Sequence, residues 1–176
     1  DIWNGGYVAP GKPGPVVVGG DSGARHIVPR IWGVPPPKAA YGADLNRPPR
    51  GVTNVRNLQS PFWIGTLRHR EFRCLVPVTS FQEWAQHKNP RTGKRTQHWF
   101  SLPAEPIFAF GGIWRDSEVA SFAFLTTEPN SIVGAVHPKA MPFIVRPEDY
   151  ETWLTADWKD ASQLVGAYPS QYMQMA

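Results

Sequence analysis

The chain has 176 residues, 41% of them hydrophobic, with eight Trp, one Cys and a formal charge of +4. A chain of this size suits one domain and buries roughly two thirds of the surface its unfolded form exposes, which excludes a disordered body. The mild basic excess is compatible with a polyanionic partner without identifying one, no apolar run approaches the roughly 18 residues that span a bilayer, and a single cysteine excludes an internal disulfide and fits a reducing, cytoplasmic setting.

Nineteen Pro and sixteen Gly favour short strands and many turns over a helical bundle. Residues 1–14 are rich in Gly and Pro and are expected to be extended or looped. The start, Asp1-Ile2-Trp3-Asn4, carries no helix signal and reads as the middle of a longer sequence. Pro15-Val16-Val17-Val18 predicts a short strand closed by the turn Gly19-Gly20-Asp21. A second strand from His26 to Val34 completes a hairpin and stops at Pro35-Pro36-Pro37, because proline cannot donate to a ladder. Residues 38–52 are polar and unpatterned, a long loop of the kind that is often functional or mobile. Ser60 as N-cap and Pro61 at the first helical position predict a short helix through Arg68, whose solvated end carries Arg68, His69, Arg70 and Arg73.

Cys74 to Val78 predicts an apolar strand that Ser80 to Trp84 continues. Residues 86–96 read as a basic hairpin turn and Gln97 to Leu102 as the return strand. Strands over Ile107–Trp114 and Phe122–Thr126 follow, and Gly111-Gly112 inside the first of them marks a bulge or a close backbone approach. A short helix over Pro129–Val136, a strand over Met141–Val145, a helix over Pro147–Leu154 and another over 158–166 complete the reading. The closing stretch from Tyr168 to Ala176 has no usable pattern.

Three stretches place polar groups where strand logic does not ask for them. Asn54 and Arg56, two apart on an extended chain, point the same way and could hold a phosphate or an oxyanion; a loop-end hydrogen bond explains them as simply. Glu83 lies between Phe81 and Trp84 on a strand that reads as central. A carboxylate there is costly unless paired, and burial would raise its pKa into a useful acid/base range; a structural salt bridge with an arginine is the alternative. His137 stands before Pro138 in the run His137-Pro138-Lys139-Ala140-Met141-Pro142, where prolines pin the backbone. Beside an acid such as Glu83 it would complete a general acid/base pair; alone it is an ordinary surface or core histidine. His26, His69, His87 and His98 are scattered without zinc spacing, and no phosphate loop or nucleophile elbow is present. No metal or cofactor is therefore expected. Cys74 sits in an apolar strand, where a thiol is usually inert.

Taken in order, Tyr7-Val8-Ala9-Pro10, Trp32-Gly33-Val34-Pro35, Asn54-Val55-Arg56, Arg73-Cys74-Leu75-Val76-Pro77, Phe81-Gln82-Glu83-Trp84, Gly111-Gly112-Ile113-Trp114, Leu125-Thr126-Thr127 and His137 to Pro142 resemble the SOS response-associated peptidase (SRAP) family. The resemblance runs from about residue 7 to 154. It implies one α+β domain, here 1–176, on a curved, mostly antiparallel, barrel-like sheet with a few short helices and a positively charged groove. It further implies a monomeric DNA-damage enzyme that binds single-stranded DNA and traps abasic sites. In the family a mature N-terminal cysteine, exposed by self-cleavage, condenses with the ring-opened sugar aldehyde to a thiazolidine, through a Schiff base that in some members leads to strand cleavage. By the same resemblance Asn54, Glu83 and His137 are catalytic, and Pro10, Arg56, Thr126 and Lys139 contact DNA.

The sequence departs from the family pattern at three places. The N-terminal cysteine has no counterpart, so the chain is expected to lack an N-terminal segment and, with it, the crosslinking nucleophile. The tryptophans that wedge between bases are replaced by Pro36-Pro37-Lys38-Ala39-Ala40. The usual His-x-Arg-Met-Pro is one residue longer, with Lys139 as its cation, and a Lys grips phosphate less directionally than an Arg. A non-catalytic single-strand-binding module and a protease acting on other proteins remain the competing readings.

Overall fold

The computed structural model describes residues 5–19, 23–40 and 50–176. Residues 1–4 and 41–49, and the expected turn at Gly20-Asp21, lie outside them. The chain forms an α+β domain in which β1 (Pro13–Gly19), β2 (Arg25–Trp32), β4 (Arg73–Val78), β7 (Phe108–Asp116) and β8 (Ala120–Thr127) close into a ring in the order β7-β4-β1-β2-β8-β7. Four of its five junctions are antiparallel, and β2 meets β8 in parallel through Ile31–Ser121 and Trp32–Phe122. That parallel closure needs a long crossover, supplied by everything between β2 and β8. Short strands extend the ring: β3 (Asn54–Val55) and β9 (Met141–Pro142) add to β8, and β10 (Ile144–Val145) adds to β7.

A separate sheet carries β5 (Phe81–Lys88), β6 (Arg95–Ser101) and β11 (Gln174–Met175) in the order β11-β6-β5. The expectation that residues 80–84 continue β4 is corrected here. The chain leaves the ring at Thr79-Ser80, and Glu83 lies on an edge strand instead of a central one. The unpatterned end supplies β11, which pairs with Phe100 and Ser101.

Two apolar clusters straddle the ring wall. Val16, Cys74, Val76, Phe110, Phe122 and Phe124 face inward. Leu75, Ala109, Ile113, Ala123 and Leu125 face outward, beneath α1 (Ile64–Arg68), α3 (Tyr150–Thr155) and α4 (Trp158–Gln163). This alternation is the pleat of a strand buried on both faces. Gly111 faces the outer layer, where a Cβ would lie 2.6 Å from the Phe143 ring and 3.1 Å from Trp153. The diglycine is therefore a close approach, and the β4–β7 register runs through it without a bulge. Phe143, turned into this layer, also explains why the expected Met141–Val145 strand divides: the pieces on either side pair with different neighbours.

Two further expectations change. The helix predicted from Ser60 begins at Ile64; the Ser60 hydroxyl accepts only from the Phe62 amide, in a turn. Arg73 is fully buried instead of solvated. Its guanidinium donates to the carbonyls of Leu67, Trp153 and Ala156, two of them at 2.9 Å and 2.6 Å, satisfying the orphan carbonyls of two helix ends. Among the described residues no helix is long and apolar enough to cross a membrane.

Candidate active site

At one end of the ring the inward-facing side chains do not meet. A cavity of about 380 Å³ opens there, floored by Pro15, Trp32, Val76, Phe110 and Phe122 from the ring strands. Its rim brings together Pro10, Asn54, Glu83, Thr126 and His137.

Each rim residue is held by local structure. Asn54 sits on β3, paired in parallel with Phe124 and Leu125. The segment before it is fixed by the Val34–Val52 bridge, with both amide bonds at 2.8–2.9 Å, and by Trp32 Nε1 donating to the Thr53 carbonyl at 3.1 Å. Gly33 and Gly51 allow that approach. Gly33 has φ +136°, and a Cβ on Gly51 would fall 2.7 Å from the Gly33 backbone. His137 follows α2 (Ser131–Gly134), whose N-cap Asn130 accepts from the Val133 amide at 3.0 Å. The Val133 carbonyl in turn accepts the His137 amide at 2.8 Å. Glu83 is carried by β5, whose neighbouring Phe81 stacks on Phe100 and meets Phe110 edge-on. The buried Thr126 pairs with Pro142 of β9.

Glu83 Oε2 lies 3.7 Å from His137 Nδ1, with about a quarter and a third of each side chain exposed. Burial pushes the Glu83 carboxyl up to about 7. Burial, followed by the positive charge of Lys139, holds the His137 imidazole below its ordinary range. Both shifts favour neutral forms: near neutrality the carboxyl keeps its proton in about half of the molecules and faces an imidazole free to accept one, so the pair can both give and take a proton. The arginine salt bridge weighed for Glu83 is not formed among the described residues.

Arg56 and Lys139 do not line this cavity, and among the described residues that do, none is Lys or Arg. Arg56 instead donates to the carbonyls of Thr127 and Lys139, both at 3.0 Å, and pairs with Glu128. It staples the His137–Pro142 loop to the end of β8. Lys139 is exposed beyond the rim. Tyr7 and Gln82, which sequence reasoning did not single out as site residues, also line the cavity and approach each other at 3.5 Å; the only signal was their place within the motifs that carry the resemblance. Cys74 is fully buried, and burial drives its thiol pKa far up, so it stays a thiol. Among the described residues no three His, Cys, Asp or Glu side chains converge as a metal site would require.

With this geometry in hand, comparison with known proteins gives the class. The family described as SOS response associated peptidase (SRAP) matches residues 3–176. The chain belongs to the SRAP family. It is 30% identical over 98 residues to the abasic site processing protein YoqW of Bacillus subtilis and to that of Bacillus phage SPbeta, covering 52% of this chain and 42% of each relative. The chain thus spans less than half the length of the curated relatives it matches. Three solved structures share the fold. One from Bordetella bronchiseptica has a TM-score of 0.77 at 19% identity, over 98% of this chain and 88% of that one. A phage-related protein from the same organism gives 0.71 at 18%, over 98% and 84%. A protein from Bacteroides thetaiotaomicron gives 0.69 at 19%, over 94% and 73%.

Proposed function

We propose that this chain is the body of a DNA-damage enzyme that takes a single-stranded abasic site into the cavity and processes it covalently. The observation that supports this reading best is the Glu83–His137 pair, 3.7 Å apart beside Asn54 at the mouth of an otherwise apolar cavity. A relative named as an abasic site processing protein supports the substrate class.

The chemistry follows from the pair. A closed abasic sugar must open before it offers an aldehyde. His137 takes the proton of the anomeric hydroxyl while the Glu83 carboxyl gives its proton to the ring oxygen. An N-terminal amine, which titrates near pH 8, then adds to the aldehyde, and acid assistance releases water to leave the Schiff base. Addition of the same residue's thiol across the C=N bond closes the thiazolidine, with water as the only leaving group. Cys74 is too buried for this step, so the reading assigns it to an N-terminal cysteine that this sequence does not contain. Asn54 orients the nucleophile or the sugar, Pro10 and Thr126 border the bound strand, and the same centre performs the self-cleavage that frees the amine. Lys139 meets a backbone phosphate outside the rim, the enzyme acts as a monomer without a metal, and Arg56 acts mainly by holding the loop.

The test is a denaturing gel. Full-length protein, begun at its natural initiator Met, is mixed with single-stranded DNA carrying one abasic site. A shifted band, lost when the new N-terminal cysteine becomes Ala, is expected. Binding under native conditions with no shifted band would leave a non-catalytic module.

A further inference from the structure

The cavity poses a problem of charge: a polyanionic strand must enter it, yet among the described residues no Lys or Arg lines it. On one side it adjoins a hollow holding Arg50, reached past Pro10 and Thr53. On the other it shares Tyr7, Val8, Val78, Phe81 and Gln82 with a second hollow of about 330 Å³ that ends at Trp99. Beyond Trp99 lies the outer face of the β5–β6 hairpin. Gln82 pairs with Trp99 and Trp84 with Gln97, which puts Trp84 and Trp99 diagonally on one face. Tyr7 meets Trp99 edge-on at 5.9 Å. Tyr7, Trp84 and Trp99 are 66%, 47% and 37% exposed, a concentration of ring surface that a solvated sheet face does not need. The Trp99 backbone exchanges two 2.9 Å hydrogen bonds with Ala176, so its ring stands on a paired, central strand.

The same hairpin carries the densest positive charge of the described residues. Lys88, Arg91, Lys94 and Arg95 are all exposed at its tip, and none forms an ion pair with a described carboxylate. From Trp99 to Arg95 is four strand residues, about 13 Å at 3.3 Å per residue, so rings and cations lie within reach of one short run of nucleotides. Stacking rings beside backbone-tracking cations are what single-stranded nucleic acid requires, and they suit an acidic protein surface less well because it has no bases to stack.

We propose that the outer face of the β5–β6 hairpin is a second single-strand site, in which Trp99 stacks a base leaving the cavity and Lys88, Arg91, Lys94 and Arg95 grip the following phosphates. This rests on the reading that the cavity takes single-stranded DNA.

The test is equilibrium binding by fluorescence anisotropy at several salt concentrations. The full chain is compared with a variant carrying K88Q, R91Q, K94Q and R95Q, using an oligothymidine of about 12 nucleotides, within the range one such face covers, and a trinucleotide. For the longer strand the quadruple variant is expected to bind at least tenfold more weakly. The slope of log affinity against log salt should fall by about three, since each neutralised single-strand phosphate contributes about 0.7. The trinucleotide should bind both proteins alike. W99A should weaken the longer strand by about fivefold or more, and W99F should restore it, because base stacking needs a ring and not a particular one. Unchanged affinity and slope in the quadruple variant would overturn the second site while leaving the cavity reading intact. A wild-type chain that binds neither oligonucleotide at low salt would overturn both. Polyglutamate bound as tightly as the longer strand, with the same loss on W99A, would overturn the base-stacking role and point to an acidic protein.

Discussion

Glu83 Oε2 and His137 Nδ1 stand 3.7 Å apart although one belongs to an edge strand of the separate sheet and the other to the loop between α2 and β9, which joins the ring at β8. Neither residue's own segment calls for a titratable group there. The meeting is made by two independent anchors: Phe81 packed on Phe100 and Phe110 on one side, and the Asn130-capped turn on the other. The pair's placement, half-buried at the mouth of an apolar cavity, sets both protonation states.

The first prediction concerns pH and stability. The Glu83 carboxyl titrates at about 7 when folded, against its ordinary 4.5. Between those values the folded chain holds a proton that the unfolded chain has released, so stability falls as pH rises through this window and levels off above it. E83Q removes the titration. Relative to wild type, E83Q should therefore gain stability between pH 4 and pH 8, by no more than about 3 kcal/mol at 1.36 kcal/mol per pKa unit. Urea denaturation of both proteins at the two pH values checks this. An equal difference at both would mean that Glu83 is ordinary.

The second concerns rate. Without its donor proton the pair cannot assist sugar opening or loss of water, so E83Q in the full-length protein should slow adduct formation about 100-fold or more, in the range of one general acid/base group. The wild-type rate should be bell-shaped in pH, since the N-terminal amine must be free while Glu83 keeps its proton; E83Q should lose the alkaline fall, which is the Glu83 limb. Single-turnover crosslinking across pH reads both effects.

The third separates Arg56 from a simple phosphate ligand. It donates to the Lys139 and Thr127 carbonyls, so R56A should loosen the loop that carries His137. Because the guanidinium is about half exposed, the stability loss should be only about 1 kcal/mol. The adduct rate should fall more than DNA affinity does. A pure affinity loss with an unchanged rate at saturating DNA would return Arg56 to the phosphate role.

The fourth tests the scaffold. G111A would place a Cβ 2.6 Å from the Phe143 ring, and Phe143 is wedged against Trp153. Overpacking of this kind costs about 1–3 kcal/mol, and more where a neighbour cannot yield. R73K should cost at least as much, since a single ammonium cannot serve the carbonyls of Leu67, Trp153 and Ala156 together. Thermal unfolding measures both.

Much of this was legible because it is local. Gly111-Gly112 inside an apolar run announced a bulge or a close approach, of which the structure shows the second, and the polar interruptions at Asn54, Glu83 and His137 stood out against their strand and loop settings. What was not legible depends on distant partners. The break at Thr79-Ser80 carries no strong turn signal, so β4 and β5 read as one strand, and only the partners differ. Arg73 read as solvated because its cage consists of carbonyls from two helix ends far apart in the chain. The division of Met141–Val145 follows from Phe143 filling the space above Gly111, which no local pattern encodes. The different settings of Arg56 and Asn54 were not legible either: they lie two apart, but Arg56 donates to backbone carbonyls while Asn54 lines the cavity.

The central claim is that the cavity between Asn54, Glu83 and His137 receives the abasic sugar. It is tested most directly by a crystal structure of this chain bound to a short single strand carrying an unreactive tetrahydrofuran abasic analogue. The account predicts the abasic ring inside the cavity, within hydrogen-bonding reach of Glu83 or His137, with the strand leaving past Trp99. A strand bound elsewhere, or an intact base filling the cavity as readily as the analogue, would contradict it.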